Sequence, residues 1–194
     1  DDDDDDDDDE EEEAEPQLKY QRLGGGVTHK VQSDHAYCLQ CHPRFLVLGM
    51  KSGTVYVLDP HGDIIKQYRP HRNAVNDISI DLNGDHVATC SHDGRVVIRD
   101  IFKDVQTVHN FRNQDLLSIE LHPQYGAQQM FVTGGRGQQL LLRSIGFFRS
   151  DNKVLHSGEG PIYCIAWKGE LIAWANDRGV KIYDISDHKP IAHI

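Results

Sequence analysis

From Ala36 onward, short apolar runs alternate with polar turns, and the alternation repeats along the chain. The stretches FLVLGMKSGTVYVLD (45–59), HVATCSHDGRVVIRD (86–100), MFVTGGRGQQLLLRS (130–144) and LIAWANDRGVKIYD (171–184) share one plan. Each is an apolar strand, a tight turn containing Gly53, Gly94, Gly137 or Gly179, and a second aliphatic strand. The four glycines are spaced 41, 43 and 42 residues apart. A further strand is predicted ahead of each pair, at Tyr37–His42, Val75–Ile80, Leu116–His122 and Ile162–Lys168. A more polar one is predicted behind it, at Ile64–Arg69, Val105–Phe111, Lys153–Ser157 and Pro190–Ile194. No long segment carries a helical apolar period, so the chain reads as all-β.

Four short antiparallel strands in a period of this length describe a β-propeller blade, whose usual repeat is about 40–45 residues. Inner strands that pack between neighbouring blades are apolar on both faces, and the rim strand can be polar. Three of the third strands end in aspartate (Asp59, Asp100, Asp184), where WD-type repeats place the second letter of their signature; the first letter is replaced by Leu, Arg and Tyr. The blades are therefore degenerate WD-type units, expected at 36–74, 75–115, 116–160 and 161–194. Glycine at each hairpin is expected to supply the positive φ of a tight turn. Segment 17–35 is expected to be a linker with a possible closing strand at Val27–Gln32. Four blades lie at the low end for a propeller, so an incomplete propeller from a longer chain is expected.

Composition changes this picture at one end only. Of the 31 Asp and Glu, 14 lie in the first 15 positions, leaving 17 against 20 Lys and Arg, so the body is mildly basic under a formal charge of −11. Residues 1–16 are expected to be a solvated acidic tail, because like charges repel and too little apolar area is present to bury. The 194 residues contain no apolar run long enough for a membrane helix, no signal peptide pattern and no Asn-x-Ser/Thr sequon. Cys38, Cys41, Cys90 and Cys164 are too few and too scattered to staple a domain, so buried free thiols in a reducing, cytosolic compartment are expected.

Several short motifs invite a chemical reading. Cys38-Leu39-Gln40-Cys41-His42 has the spacing of a c-type haem attachment site, but lies on a predicted inner strand without a marked second axial ligand. His42-Pro43 recurs as His122-Pro123 without cysteines, which favours turn structure. A zinc site would need a second CxxC or a histidine pair. Gly134-Gly135-Arg136-Gly137 lies between strands and lacks the helix a phosphate cradle requires. Asp81, Asn83 and Asp85 alternate as calcium ligands do, without the closing glutamate. Ser91, His92 and Asp93 are consecutive and cannot converge as a triad. Asp93 and Asp177 are expected to cap turn amides. No catalytic residue, metal ligand or cofactor is assigned. Partner contact is instead expected on the face formed by second-to-third-strand turns and inter-blade links, which collects Lys51, Arg72, Arg112, Arg136 and Arg178 against Asp93, Asp115, Glu159 and Asp177. An acidic partner surface would suit that face.

PQLKYQRL after the acidic tail, then FLVLGMKSGTVYVLD, CSHDGRVVIRD, FVTGG, VLHSGEGPI and LIAWANDRGVKIYDI, resembles the N-terminal propeller of the vacuolar protein sorting-associated protein 41 family over about residues 16–194. The resemblance implies a non-catalytic scaffold of the HOPS tethering complex, working before SNARE-driven fusion at late endosomes and lysosomes or vacuoles. The partners it implies are other HOPS subunits, a small GTPase of those membranes and adaptor protein complex three, with no nucleic acid. The location it implies is cytoplasmic, peripheral on those membranes. The family's helical solenoid and zinc-binding RING-like region have no counterpart among these residues, so zinc is not carried over. A WD-type scaffold of another assembly and a haem propeller are the alternatives.

Overall fold

A computed structural model describes residues 19–20, 23–111, 114–146 and 150–194. The expected tail, 1–16, lies outside the described residues. The first blade contains β1 (Ala36–His42), β2 (Phe45–Met50), β3 (Val55–Leu58) and β4 (Ile64–Tyr68). The second contains β5 (Val75–Ile80), β6 (His86–Ser91), β7 (Arg95–Asp100) and β8 (Gln106–Asn110). The third contains β9 (Leu116–Leu121), β10 (Met130–Gly135), β11 (Gln139–Ile145) and β12 (Ser150–Ser157), with one helical turn, α2 (Tyr125–Gln128), between β9 and β10. The fourth contains β13 (Cys164–Lys168), β14 (Leu171–Asn176), β15 (Gly179–Asp184) and β16 (Lys189–His193). Each blade is a four-stranded antiparallel sheet in sequence order, and β1, β5, β9 and β13 contact one another in succession as the inner strands of an open arc.

Alternation along each strand feeds two separate cores. Phe131 and Val132 are adjacent on β10, yet Phe131 packs with Ala88, Ile98 and Ile119 between the second and third blades, while Val132 packs with Ile165, Trp167 and Trp174 between the third and fourth. Val47, Val57, Val75 and Val87 fill the space between the first and second blades. A blade thus has no private core, and its strands must be apolar on both faces.

The inner strands are also joined by hydrogen bonds. The edge of β9 turned away from β10 carries backbone groups that no strand pairs, and β5 satisfies them with side chains: the Ile119 amide donates to Asp77 (3.0 Å) and the Leu121 amide to Ser79 (2.9 Å). Ser118 donates to the same Asp77 carboxylate (2.7 Å), and Asn76 donates to the Leu116 carbonyl (2.6 Å). At the rim, cations lie over rings of the neighbouring blade: Arg99 at 4.5 Å from the Tyr68 ring centre, Arg143 at 5.7 Å from Phe111 and Lys153 at 6.0 Å from Tyr183.

The expected strand at 27–32 is instead a helix, α1 (Val27–Ser33). Val27 and Val31 stand four apart, a spacing that serves a helical face as well as a strand face. Ser33 bonds back to the carbonyls of His29 and Lys30, and the Asp34 amide closes the last turn on Lys30. Val27 covers the outer face of the first blade beside Leu48, Met50, Tyr56 and Leu58. On the far side of the fourth blade, Leu171, Val180 and Ile194 are exposed.

One glycine expectation also changes. Gly53, Gly94 and Gly179 have positive φ, but in the third blade the left-handed residue is Gln138 (φ 57°), not Gly137. The Gln138 amide bonds to Gly135 as Gly53 bonds to Met50 and Gly94 to Ser91, so Gln138 is the structural equivalent of the turn glycines. Gly94→Ala should cost more than about 1 kcal/mol, because its Cβ would stand 2.7 Å from the Phe111 carbonyl oxygen on a left-handed backbone. Gln138→Gly should be neutral or stabilise by up to about 1 kcal/mol. Denaturant titration of the two variants tests both signs, and a neutral Gly94→Ala would contradict this account of the turn.

Candidate functional site

The upper face consists of the second-to-third-strand turns and the links between blades, because each turn packs on a link. Gly53 lies against Asn73, Gly94 against Phe111 and Gly135 against Asp115. A buried network fixes the second blade's turn: His71 donates and accepts between Asp93 (3.2 Å) and Thr89 (2.8 Å), and Asp93 also accepts the amides of Arg72 (3.2 Å) and Arg95 (3.0 Å). Burial opposes ionisation of Asp93, but these bonds outweigh it and hold the carboxyl below its usual range. Asp93 therefore caps turn amides as expected. Asp177 does not: it accepts the Tyr163 hydroxyl (2.7 Å), and Asn176 caps the Arg178 amide (2.9 Å).

Lys51, Arg72, Arg136 and Arg178 are exposed on this face, and Arg112 lies outside the described residues. Three of the four acids beside them are committed elsewhere. Asp93 is held by His71, Asp177 by Tyr163, and Glu159 by Lys181, His156 and Asn176. Asp115 reaches Arg136 only loosely, at 3.9 Å. Among the described residues Lys51, Arg72 and Arg178 make no ion pair. Arg72 and Arg95 also line a cleft of about 550 Å³ with Asn73, Asp93, Val108 and Asn110. Arg95 escaped the sequence reading because it opens β7 and looks like an ordinary strand residue.

The CxxCH motif does not assemble. Cys38 and Cys41 are three apart on β1, so their side chains leave opposite faces. The Cys38 thiol donates to the Val75 carbonyl (3.2 Å), and burial, with Asp77 adding to it, pushes its pKa up to about 12. Burial was expected for all four thiols, but Cys41 and Cys164 are exposed because β1 and β13 each turn a face away from a neighbouring blade. The two His-Pro pairs share a turn role: the His42 ring accepts the Arg44 amide (3.3 Å) and the His122 ring accepts the Gln124 amide (3.0 Å). Asp81 accepts the amides of Asp85 and His86 and the His86 ring, as a polar turn would. Among the described residues no three His, Cys, Asp or Glu side chains are grouped to hold a metal, and no helix is long and apolar enough to cross a membrane.

A second cleft, of about 520 Å³, opens on the lower face between the ends of β5, β9 and β13. Glu120 lies in it, and burial pushes its carboxyl up to about 8; a bond to Ser79 offsets this in part, and the Asp77 charge reinforces it. The folded protein therefore keeps a proton that the unfolded chain releases near 4.5, and stability falls as pH rises from about there to 8. Glu120→Gln should remove this slope, gaining thermal stability over the parent at pH 8–9 and little at pH 5. Melts of both proteins across that range check it, and parallel curves would contradict it.

The family model of the Vps41 β-propeller, described as "Vps42 beta-propeller", matches residues 18–194. The vacuolar protein sorting-associated protein 41 homologues of Arabidopsis thaliana and Homo sapiens are 42% and 40% identical, each over 93% of this chain and over 19% and 21% of their own lengths. The Schizosaccharomyces pombe protein is 28% identical over 93% of this chain and 21% of its own. The chain thus spans about a fifth of these relatives. The β-propeller domain of Myceliophthora thermophila Cps50 (Swd1) superposes with a TM-score of 0.71 at 20% identity, covering 81% of this chain and 54% of that one, which shows a shared fold. With a family model matching nearly every residue from β1 onward and relatives near 40% identity on the same blades, the chain belongs to the Vps41 β-propeller family.

Proposed function

We propose that this propeller is a non-catalytic interaction scaffold in vacuolar protein sorting, and that its upper face docks an acidic surface of a partner. The observation that carries this reading is that Asp93, Asp177 and Glu159 are spent on internal bonds, while Lys51, Arg72 and Arg178 are exposed without ion pairs among the described residues. Loops fixed to a rigid sheet lose little backbone entropy on docking, and their exposed charges steer a partner of opposite charge. The cleft beside Arg72 and Arg95 offers a place where a carboxylate could be held by two guanidinium groups.

On this reading the face works in membrane tethering as part of a HOPS-like complex. Its partners there are other tether subunits, a small GTPase of the late endosome or lysosome, and adaptor protein complex three. The protein works in the cytoplasm and reaches the membrane peripherally through these partners. It uses no cofactor and no nucleic acid. These assignments rest on family membership and on charge.

Reversal of Lys51, Arg72, Arg136 and Arg178 to Glu in the full-length protein should weaken pull-down of the cognate partner by about tenfold or more and reduce recruitment to late endosomes. The parent interaction should weaken with added salt and the variant's should not. Unchanged binding and recruitment by a folded variant would defeat the reading.

A further inference from the structure

The lower cleft lies on the opposite face from the basic loops and is independent of them. Its walls come from turns that join first to second strands: Leu82 after β5, His122 and Pro123 after β9, and Gly169 and Glu170 after β13, with Trp167 from β13 itself. These walls are fixed. Leu82 donates its amide to the Pro123 carbonyl (2.9 Å), Trp167 donates its indole N–H to Gly169 (3.0 Å), and His122 lies edge-on to Trp167 at 4.9 Å between ring centres. Leu82 is nevertheless 71% exposed at the mouth, an apolar side chain held out by a well-anchored turn.

The cleft is acidic inside an apolar frame. Glu120 is half-buried on β9 and makes no ion pair among the described residues. Asp77 from β5 adds a second carboxylate behind it, Glu170 stands at the mouth, and Ser79 offers Glu120 a hydroxyl. Against these stand Lys168, which lines the cleft without pairing Glu120, and His122, which burial pushes toward its neutral form. A carboxyl in this position gains from a cation that brings its own apolar stem, because the charge meets Glu120 while the stem replaces water on Leu82 at the mouth. A lone apolar residue would bury Glu120 further without a partner, and an acidic one would be repelled.

We propose that this cleft receives an arginine side chain from a partner protein, with Glu120 as its counter-ion, Leu82 beside its stem and the buried Trp167 at the cleft wall. Arginine suits the site better than lysine, since a planar guanidinium can bond a carboxylate through two parallel N–H groups. The propeller then reads acidic surfaces on one face and a basic side chain on the other.

The test uses full-length protein labelled with 5-fluorotryptophan, with the Trp167 fluorine signal assigned by its loss in Trp167→Phe. The probes are N-acetyl-arginine amide and its neutral isostere N-acetyl-citrulline amide. The arginine probe should shift the Trp167 signal saturably, the citrulline probe should not, and Glu120→Gln should weaken the response by about tenfold or more. Leu82→Ser, at an exposed position that cannot unfold the blade, should weaken it also. Absence of a saturable shift with arginine, an equal response to citrulline, or a response untouched by Glu120→Gln would overturn the proposal. Charge reversal on the upper face should leave this signal unchanged.

Discussion

Every blade here is a sheet with two apolar faces, and no blade can bury both by itself. That constraint organises the molecule. It explains why Phe131 and Val132 serve different cores, why middle strands such as β6 and β10 lack the apolar-in, polar-out alternation of a half-exposed sheet, and why each unit depends on the ones beside it. It also sets the problem at the inner edge, where each first strand has backbone groups that no strand in its own sheet pairs. Between β5 and β9 the problem is solved with side chains: Asp77 and Ser79, two residues apart on one strand, meet Ile119 and Leu121, two apart on the next. The strand period of two is thus reused to join blades.

Rigid blades leave chemistry to the loops, and the loops divide by charge. On the upper face the carboxylates are consumed in holding turns and links together, with Asp93 bound to His71 as the most buried instance. The arginines and lysine remain outward. On the lower face the carboxylates come from the inner strands, and Glu120 is retained in a frame of leucine and tryptophan where its charge is costly. A costly buried acid without a cation is hard to explain by packing, whereas a site for a basic group gives it a use. Both surfaces belong to a segment about a fifth the length of its relatives.

Much of the fold was legible in the sequence because a blade is a local object. Its four strands follow one another, its turns are marked by glycine, and the period near 42 residues repeats the signal; the strand positions differ from expectation by no more than a few residues at their ends. What failed to show involved ambiguous spacing or contacts across blades. Val27 and Val31 fit a strand and a helix equally, and the contact of Val27 with the first blade accompanies the helical form. Gly137 attracted the turn role that Gln138 fills, since composition marks the residue able to adopt a positive φ and not the one required to. The exposure of Cys41 and Cys164 follows from which strands border the open sides of the arc. Glu120 looked like an ordinary strand glutamate because its surroundings come from Ser79 and Trp167, each more than 40 positions away. Lys51, Arg72, Arg136 and Arg178 could be placed on one face from the sequence because they sit in turns and links whose side of the blade is set by topology, whereas Arg95, at the start of β7, could not.

Amide hydrogen exchange on the full-length protein tests the central claim, that blades share their cores and present their loops, most directly. The account predicts that the amides of β6 and β10, which lie in the middle of blades covered on both faces, exchange only through global opening. The turn amides of His92 and Gly137, which make no hydrogen bond among the described residues, should exchange orders of magnitude faster. Turn amides as protected as those of β6, or β6 and β10 opening separately with different free energies, would contradict it.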